Sequence, residues 1–540
     1  MKAWLIALAL ALLPAMAAAA PVRMTIAPTA TGVRITYDLP APVRSFATRM
    51  AGADSPPAGT HIAAVEAGLT YSRGRIEAAT PFRRATLLIA PDDGEVDSIY
   101  PLLSRVEGRG FVLFAPYVTP AGPLAARVAT GGGRSRALGR DEAAGGYVLV
   151  GVTPGARGAV RGLAGTTLPP ALERRLFDRA GALLAFYTRR LGRRPPATPI
   201  LVVNYVNTPA GPSRWMFRGD VTPNGIVFLR FNATPQQLAE PQSTRRYTSF
   251  LAHELFHLWN RRTGMHAITE AWLHEGSAEY FAWLATDALW PGEVDLGRNL
   301  ARAAAACGLF LADRALASLP EGEAMQMRYH CGPVAQWAAD AGVRAASGGR
   351  RTGFDLWAGL LRGGRGGYSV AAFLAATRAQ APATAPFIAG LAESGVHWDA
   401  LAPALNAAGA RVEARPATQA TLAFLATRAI ARATCDDFWG AGTDENGPFF
   451  SAPPCGLPGQ FAHVARVDAL EPKTDIGAYE AYVRGVCARG GELSAVIRAE
   501  NGESRRSLRC TQPLPQPIPD FHIVRALPPN PVSPPGRSSP

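Results

Sequence analysis

From Pro21 to about Gly165 apolar residues come in short runs, Val33 to Tyr37, Ala85 to Ile89, Gly110 to Phe114 and Tyr147 to Val152, separated by Gly, Pro and Asp breaks. Runs of this length without a helical period predict strands, and several in succession predict a β-sandwich domain over residues 21–165. At Thr167-Leu168-Pro169-Pro170 the pattern changes. Apolar positions from Leu172 to Leu191 recur at helical spacing, followed by strands Pro199 to Val206 and Gly225 to Phe231, a long helix around Tyr247 to Arg261, and mostly helical sequence to about Ala408. Residues 166–408 read as an α+β domain dominated by helices. β-type runs return at Phe461 to Val467, Leu493 to Ala499 and Ser507 to Cys510, with helix Ile476 to Val486 among them, which makes 411–526 a third domain. The fold class expected is therefore multidomain α+β. Residues 527–540 are Pro-rich and predict a disordered tail.

The first twenty residues fit none of these domains. Lys2, the apolar run Trp4 to Leu13 and the small residues Ala17 to Ala20 have the order of a signal peptide, so a periplasmic or secreted protein is expected. The run is too short to span a bilayer, no later segment is long and apolar enough, and no Cys near the cleavage region marks a lipid anchor. The net charge of +13 is almost wholly arginine, because lysine occurs only at Lys2 and Lys473. These arginines are scattered through apolar stretches rather than clustered, which argues against a nucleic-acid partner. The six cysteines form an even set without C-x-x-C spacing, which in an oxidising compartment favours disulfides over metal binding. Pairing sequence neighbours gives Cys307 with Cys331, Cys435 with Cys455 and Cys487 with Cys510, each within one expected domain.

The chemistry concentrates in His253-Glu254-Leu255-Phe256-His257, inside an apolar helical pattern. Residues four apart share a helix face, so both imidazoles reach one cation, and Glu254 stands where it can take a proton from the water which that cation activates. This is the zincin signature. In Trp272-Leu273-His274-Glu275-Gly276-Ser277-Ala278-Glu279-Tyr280, Glu275 and Glu279 lie one turn apart on an otherwise apolar helix, where two acids are costly to bury without a cation or donor. Glu275 reads as the third ligand of a single zinc ion. Glu279 reads as the acceptor for the second ring N–H of a zinc histidine. His274 points about 100° away from its neighbour and reads as structural. Arg214 and Arg218 read as solvated charges, and His266 gives no signal.

The words His253-Glu254-x-Phe256-His257-x-Trp259-Asn260-x-Arg262 and Trp272-Leu273-x-Glu275-Gly276 resemble those of the gluzincin metallopeptidases, and of the glycyl aminopeptidase family more than the aminopeptidase N family. The resemblance implies a β-rich N-terminal domain, a thermolysin-like catalytic domain and a C-terminal PDZ-like module, here 411–526. It also implies a downstream tyrosine, in a Tyr-x-x-Gly setting, that hydrogen-bonds the oxyanion. Tyr329-His330-Cys331-Gly332 matches, making Tyr329 the candidate and His330 its alternative.

One departure from the aminopeptidase N pattern stands out. Where that family has a Gly-x-Met-Glu-Asn strand whose glutamate holds the substrate amine, this chain has Gly219-Asp220-Val221-Thr222-Pro223-Asn224-Gly225, with Thr222 at the glutamate position. A buried amine without a carboxylate is expensive, so Asp220 or Glu270 becomes the replacement to look for. Strand Gly225 to Phe231 is expected to hold substrate backbone along its edge. The function expected is zinc-dependent hydrolysis of a peptide or protein substrate. The alternatives are a catalytically inactive scaffold that binds peptides through 411–526, and a zinc hydrolase acting on a non-peptide amide or ester.

Overall fold

The computed structural model describes residues 20–49, 61–92, 101–207, 217–260, 270–320, 324, 327–362, 368–435, 440–452, 455–459, 461–510 and 512–528. Arg214, Arg262, His266, the leader up to residue 19 and the tail from 529 lie outside the described residues. The chain is a mixed α+β, multidomain structure that divides into two compact units, Met1–Ala185 with Arg194–Arg261, and Phe186–Arg193 with Arg262–Pro540.

The first unit opens with strands whose alternation is visible in burial. Val33, Ile35 and Tyr37 are fully buried while Arg34 between them is exposed, so one face of Val33–Ala47 makes core and the other meets solvent. That strand lies between Val22–Pro28 and Arg75–Ile89 in a seven-stranded sheet, with Ile35 opposite both Ile26 and Leu87. A three-stranded sheet of Leu103–Val106, Gly110–Phe114 and Tyr147–Val150 shares its core. The third sheet carries β1 (Ile200–Val206), β2 (Phe217–Val221) and β3 (Ile226–Asn232). β1 and β3 run parallel and are buried almost throughout, as Val- and Ile-rich strands covered on both faces must be. β2 runs antiparallel to β3 at the end of the sheet, with no strand beyond it among the described residues. The strand expected to offer an edge to substrate, now β3, is thus interior, and the open edge belongs to β2. Helices α1 (Pro170–Leu191) and α2 (Pro241–Asn260) appear where the 3.6-residue period predicted them, α2 starting six residues early because its first turns are polar and carry no apolar period.

The second unit is built on α3 (Ala271–Leu289), α4 (Leu296–Leu311) and α5 (Cys331–Ala346). α3 is apolar nearly all round, the mark of a helix enclosed by others. Its Tyr280 hydroxyl donates 2.8 Å to Asp340 on α5, and Asp340 also accepts from Arg344 (2.8 Å) and from the Gly353 amide (2.6 Å). Further on, five antiparallel strands run in the order Ala441–Asp444, Gly447–Ser451, Phe461–Val467, Glu492–Ala499, Gly502–Arg509, packed with helices Gln419–Thr434 and Ile476–Ala488. The last strand, Asp520–Arg525, returns to pair with Arg411–Arg415 and packs on α4. Cysteines pair as sequence neighbours, Cys307–Cys331, Cys435–Cys455 and Cys487–Cys510. Among the described residues no helix is long and apolar enough to cross a membrane.

Candidate metal centre

α2 is opened by Pro241, whose fixed φ suits a first helical position and whose missing N–H loses nothing there. Tyr247, Leu251, Leu255 and Leu258, spaced by four, four and three, are buried and dock the helix. That spacing leaves His253 and His257 together on a neighbouring face, with Nε2 atoms 3.1 Å apart. Two imidazole nitrogens held about 2.0–2.1 Å from a tetrahedral zinc stand roughly 3.3 Å apart, so the pair already has the spacing of a chelate. The Nδ1 of His257 lies 2.9 Å from Oδ1 of Asn260, a fully buried side chain one turn further on. With Nδ1–H donating to that amide oxygen, the lone pair of His257 is placed on Nε2, where a ligand needs it. Asn260 therefore orients His257. In the sequence this pair shows only as an i, i+3 spacing of His257 and Asn260, just beyond the zincin word.

Ligand atoms of His253, His257 and Glu275 all lie within 4.8 Å of one another. Two neutral nitrogens and one carboxylate are the donor set of a catalytic zinc site, which keeps a fourth position open. Glu279 stands one turn beyond Glu275 on α3. It adds to burial in raising the phenol of Tyr187, and it opposes the burial that lowers the pKa of His330.

α3 and α5 cross at a pair of glycines. A Cβ placed on Gly276 would sit 2.2 Å from Cα of Gly332, and one on Gly332 would sit 2.2 Å from the carbonyl oxygen of Trp272. Only two glycines permit this approach, which ties Glu275 to the start of α5. Tyr329 lies in the turn just before that start. Its backbone neighbourhood is pinned by the His330 amide donating to the Met327 carbonyl (3.1 Å) and by the disulfide from Cys331 to α4. Its ring is 40 % exposed, with the Arg328 guanidinium carbon 4.7 Å from the ring centroid. His274 Nδ1 meets the Tyr368 hydroxyl at 2.6 Å, in keeping with a structural role.

Glu254 is 7 % exposed and lies against β2, where a Cβ on Gly219 would come within 2.8 Å of its Cγ and Cδ. The strand with the open edge thus runs directly past the expected base. Thr222 is no amine anchor: it is 1 % exposed and its hydroxyl is 2.6 Å from Oδ1 of Asn224 within the β2–β3 turn. Asp220 follows Gly219 on a strand, which puts it on the face away from Glu254. Glu270 immediately precedes α3.

No protein-family model matches this chain, and no curated protein matches its sequence. Solved structures do. An aminopeptidase N family protein from Idiomarina loihiensis superposes with a TM-score of 0.53 at 11% identity, over 94% of this chain and 98% of that one. Native yeast LTA4 hydrolase gives 0.41 at 11% identity, and the same yeast enzyme in complex with Bestatin 0.40 at 13%, each over 77% of this chain and 72% of that one. At such identities the likeness is one of fold, and it rests on the first of these structures.

Proposed function

We propose that this chain is an exported zinc-dependent metallopeptidase of the gluzincin type, related to the glycyl aminopeptidase and aminopeptidase N families. The observation that carries the reading is the convergence of His253, His257 and Glu275, with the two Nε2 atoms 3.1 Å apart and His257 fixed by Asn260. Bound there, zinc supplies Lewis acidity, polarising the scissile carbonyl and acidifying water toward a pKa of about 7. Glu254 takes the proton of the attacking water and returns it to the leaving nitrogen. Tyr329 donates its phenolic hydrogen to the oxyanion. Glu279 accepts from the free ring nitrogen of a zinc histidine. The open edge of β2 binds the extended backbone of the substrate beside Glu254.

Export is supported by the leader pattern of residues 1–20 and by the three disulfides. The layout proposed is a β-sandwich domain 21–165, a thermolysin-like domain 166–408 and a PDZ-like domain 411–526, the last supported by its strand, helix, strand order from Phe461 to Ala499. A peptide library bearing free or acetylated N-termini, digested with and without chelator and read by mass spectrometry, tests the reading. Cleavage abolished by chelation and restored by zinc supports it, and acceptance of acetylated peptides makes the enzyme an endopeptidase. Binding of peptides without any cleavage overturns it in favour of a scaffold.

A further inference from the structure

We propose that the last strand of the C-terminal five-stranded sheet is a docking edge for an extended acidic segment of a partner protein, whose carboxylates, four residues apart, pair with Arg505 and Arg509. The strands concerned are β4 (Phe461–Val467), β5 (Glu492–Ala499) and β6 (Gly502–Arg509). Leu493, Ala495, Ile497 and Leu508 are buried in one core with helices Gln419–Thr434 and Ile476–Ala488. Alternate residues of β6 point to the opposite face of the sheet, and there Glu503, Arg505, Ser507 and Arg509 are all exposed. β6 ends the sheet, with no strand beyond it among the described residues. It is eight residues long, contains no proline and pairs with β5 without a bulge, which keeps its outward N–H and C=O groups in line for another strand.

The charge on this face selects the guest. Arg498 donates to Glu503, its cross-strand partner, at 2.7 and 2.9 Å, and the two neutralise each other. Arg466 and Arg505 flank Val496 in one row across the three strands, and Arg509 stands opposite Glu492. None of these three arginines makes an ion pair, which leaves three guanidiniums on this face against the single carboxylate of Glu492. A second copy of β6 laid along the edge would bring two sets of free arginines together, and like charges on facing strands repel. An acidic strand meets the opposite situation. Its residues opposite Arg505 and Arg509 have Cβ atoms about 5 Å from theirs, close enough for guanidinium–carboxylate hydrogen bonds. The two arginines are separated by roughly 14 Å along the strand, which is the span of four extended residues. This surface lies on the face away from the helices, so it differs from a groove formed between a strand and a helix.

The test is fluorescence anisotropy on the full chain carrying Glu254→Gln, so that no probe is consumed. The probe is a labelled Thr- and Val-rich peptide with glutamates at i and i+4. Binding is expected, and moving the second glutamate to i+3, which turns it to the other face of the guest strand, should weaken it. Arg505→Gln and Arg509→Gln, both at exposed positions, should leave the melting temperature unchanged. Each should weaken binding about two- to fivefold, the size of an exposed ion pair, and together about tenfold. Arg505→Glu should lose the glutamate peptide and gain one with lysine at the matching position. A probe N-methylated on alternate backbone nitrogens should bind poorly, because strand addition needs those donors. The proposal is overturned by a probe that does not bind, or by one whose affinity ignores the arginine substitutions. It is overturned equally by N-methylated and i, i+3 probes that bind as well as the first, or by inorganic polyphosphate that binds as tightly as the peptide, since charge alone would then be recognised. The assay reads binding, so these outcomes are separate from whether the chain cleaves peptides.

Discussion

Gly276 offers the sharpest perturbation, because the sign of its effect separates two accounts. In the middle of α3 a glycine costs up to about 1 kcal/mol relative to alanine, so without a tertiary constraint Gly276→Ala stabilises the protein. The crossing with α5 predicts the reverse. The added Cβ would lie 2.2 Å from Cα and 2.4 Å from the carbonyl carbon of Gly332, well inside a carbon–carbon contact distance of about 3.5 Å. The neighbours are backbone atoms, so no side chain can swing aside and the helices must part by roughly 1 Å. Overpacking of this kind costs about 1–3 kcal/mol, and in a unit of this size each kcal/mol shifts the melting temperature by about 2–4 °C. The larger consequence is catalytic: Glu275 rides on α3 beside the crossing and Tyr329 sits just before α5, and a misplacement of about 1 Å lowers turnover on the order of a hundredfold. Gly359, on helix Gly353–Arg362 with nothing within 4 Å of a built Cβ, is the control, and Gly359→Ala should raise stability slightly. Calorimetry and peptide turnover on both variants decide the matter. A Gly276→Ala protein that melts higher than wild type and keeps its kcat refutes the reasoning.

Replacing Asn260 with alanine removes the acceptor that fixes His257 and should weaken zinc binding about ten- to hundredfold, measured by competition with a chromophoric chelator; unchanged affinity would deny Asn260 that role. Asp92 supplies a pH prediction: burial outweighs its Arg230 partner and raises its carboxyl from 3.8 to about 6. Between those values the native group keeps a proton that the unfolded group has lost, so its stabilising contribution is complete below pH 3.8 and disappears as pH rises through about 6. Melting curves of Asp92→Asn from pH 4 to 7 should lack this downward component, and an unaltered slope would show that Asp92 ionises normally. Tyr329→Phe should lower kcat about a hundredfold or more with zinc still bound, and a variant that turns over like wild type removes Tyr329 from the oxyanion role.

What the sequence made legible was local. The spacing of His253 and His257 survives translation into structure because a helix fixes it, and Glu275 could be recognised because a carboxylate on so apolar a helix demands a cation. Strand Phe461–Val467 and helix Ile476–Ala488 begin where alternation and helical period placed them, and the cysteines pair with their neighbours in sequence. What stayed hidden depends on contacts distant along the chain. β3 looked like an edge because nothing in Ile226–Asn232 reveals that β1 and β2 both flank it, and only the sheet order exposes β2. The Gly276–Gly332 approach was equally invisible, since each glycine alone reads as ordinary. Asn260 was in plain view, but an amide one turn after a histidine acquires meaning only once its oxygen is seen facing Nδ1.

The central claim, that a zinc ion at His253, His257 and Glu275 serves peptide hydrolysis with Glu254 as its base, is tested most directly by measuring zinc content and peptide turnover side by side in the wild-type chain and in Glu254→Gln. The account predicts one zinc per chain in both proteins and turnover in the wild type alone. Turnover retained by Glu254→Gln, or zinc bound by a wild-type chain that cleaves nothing, would contradict it.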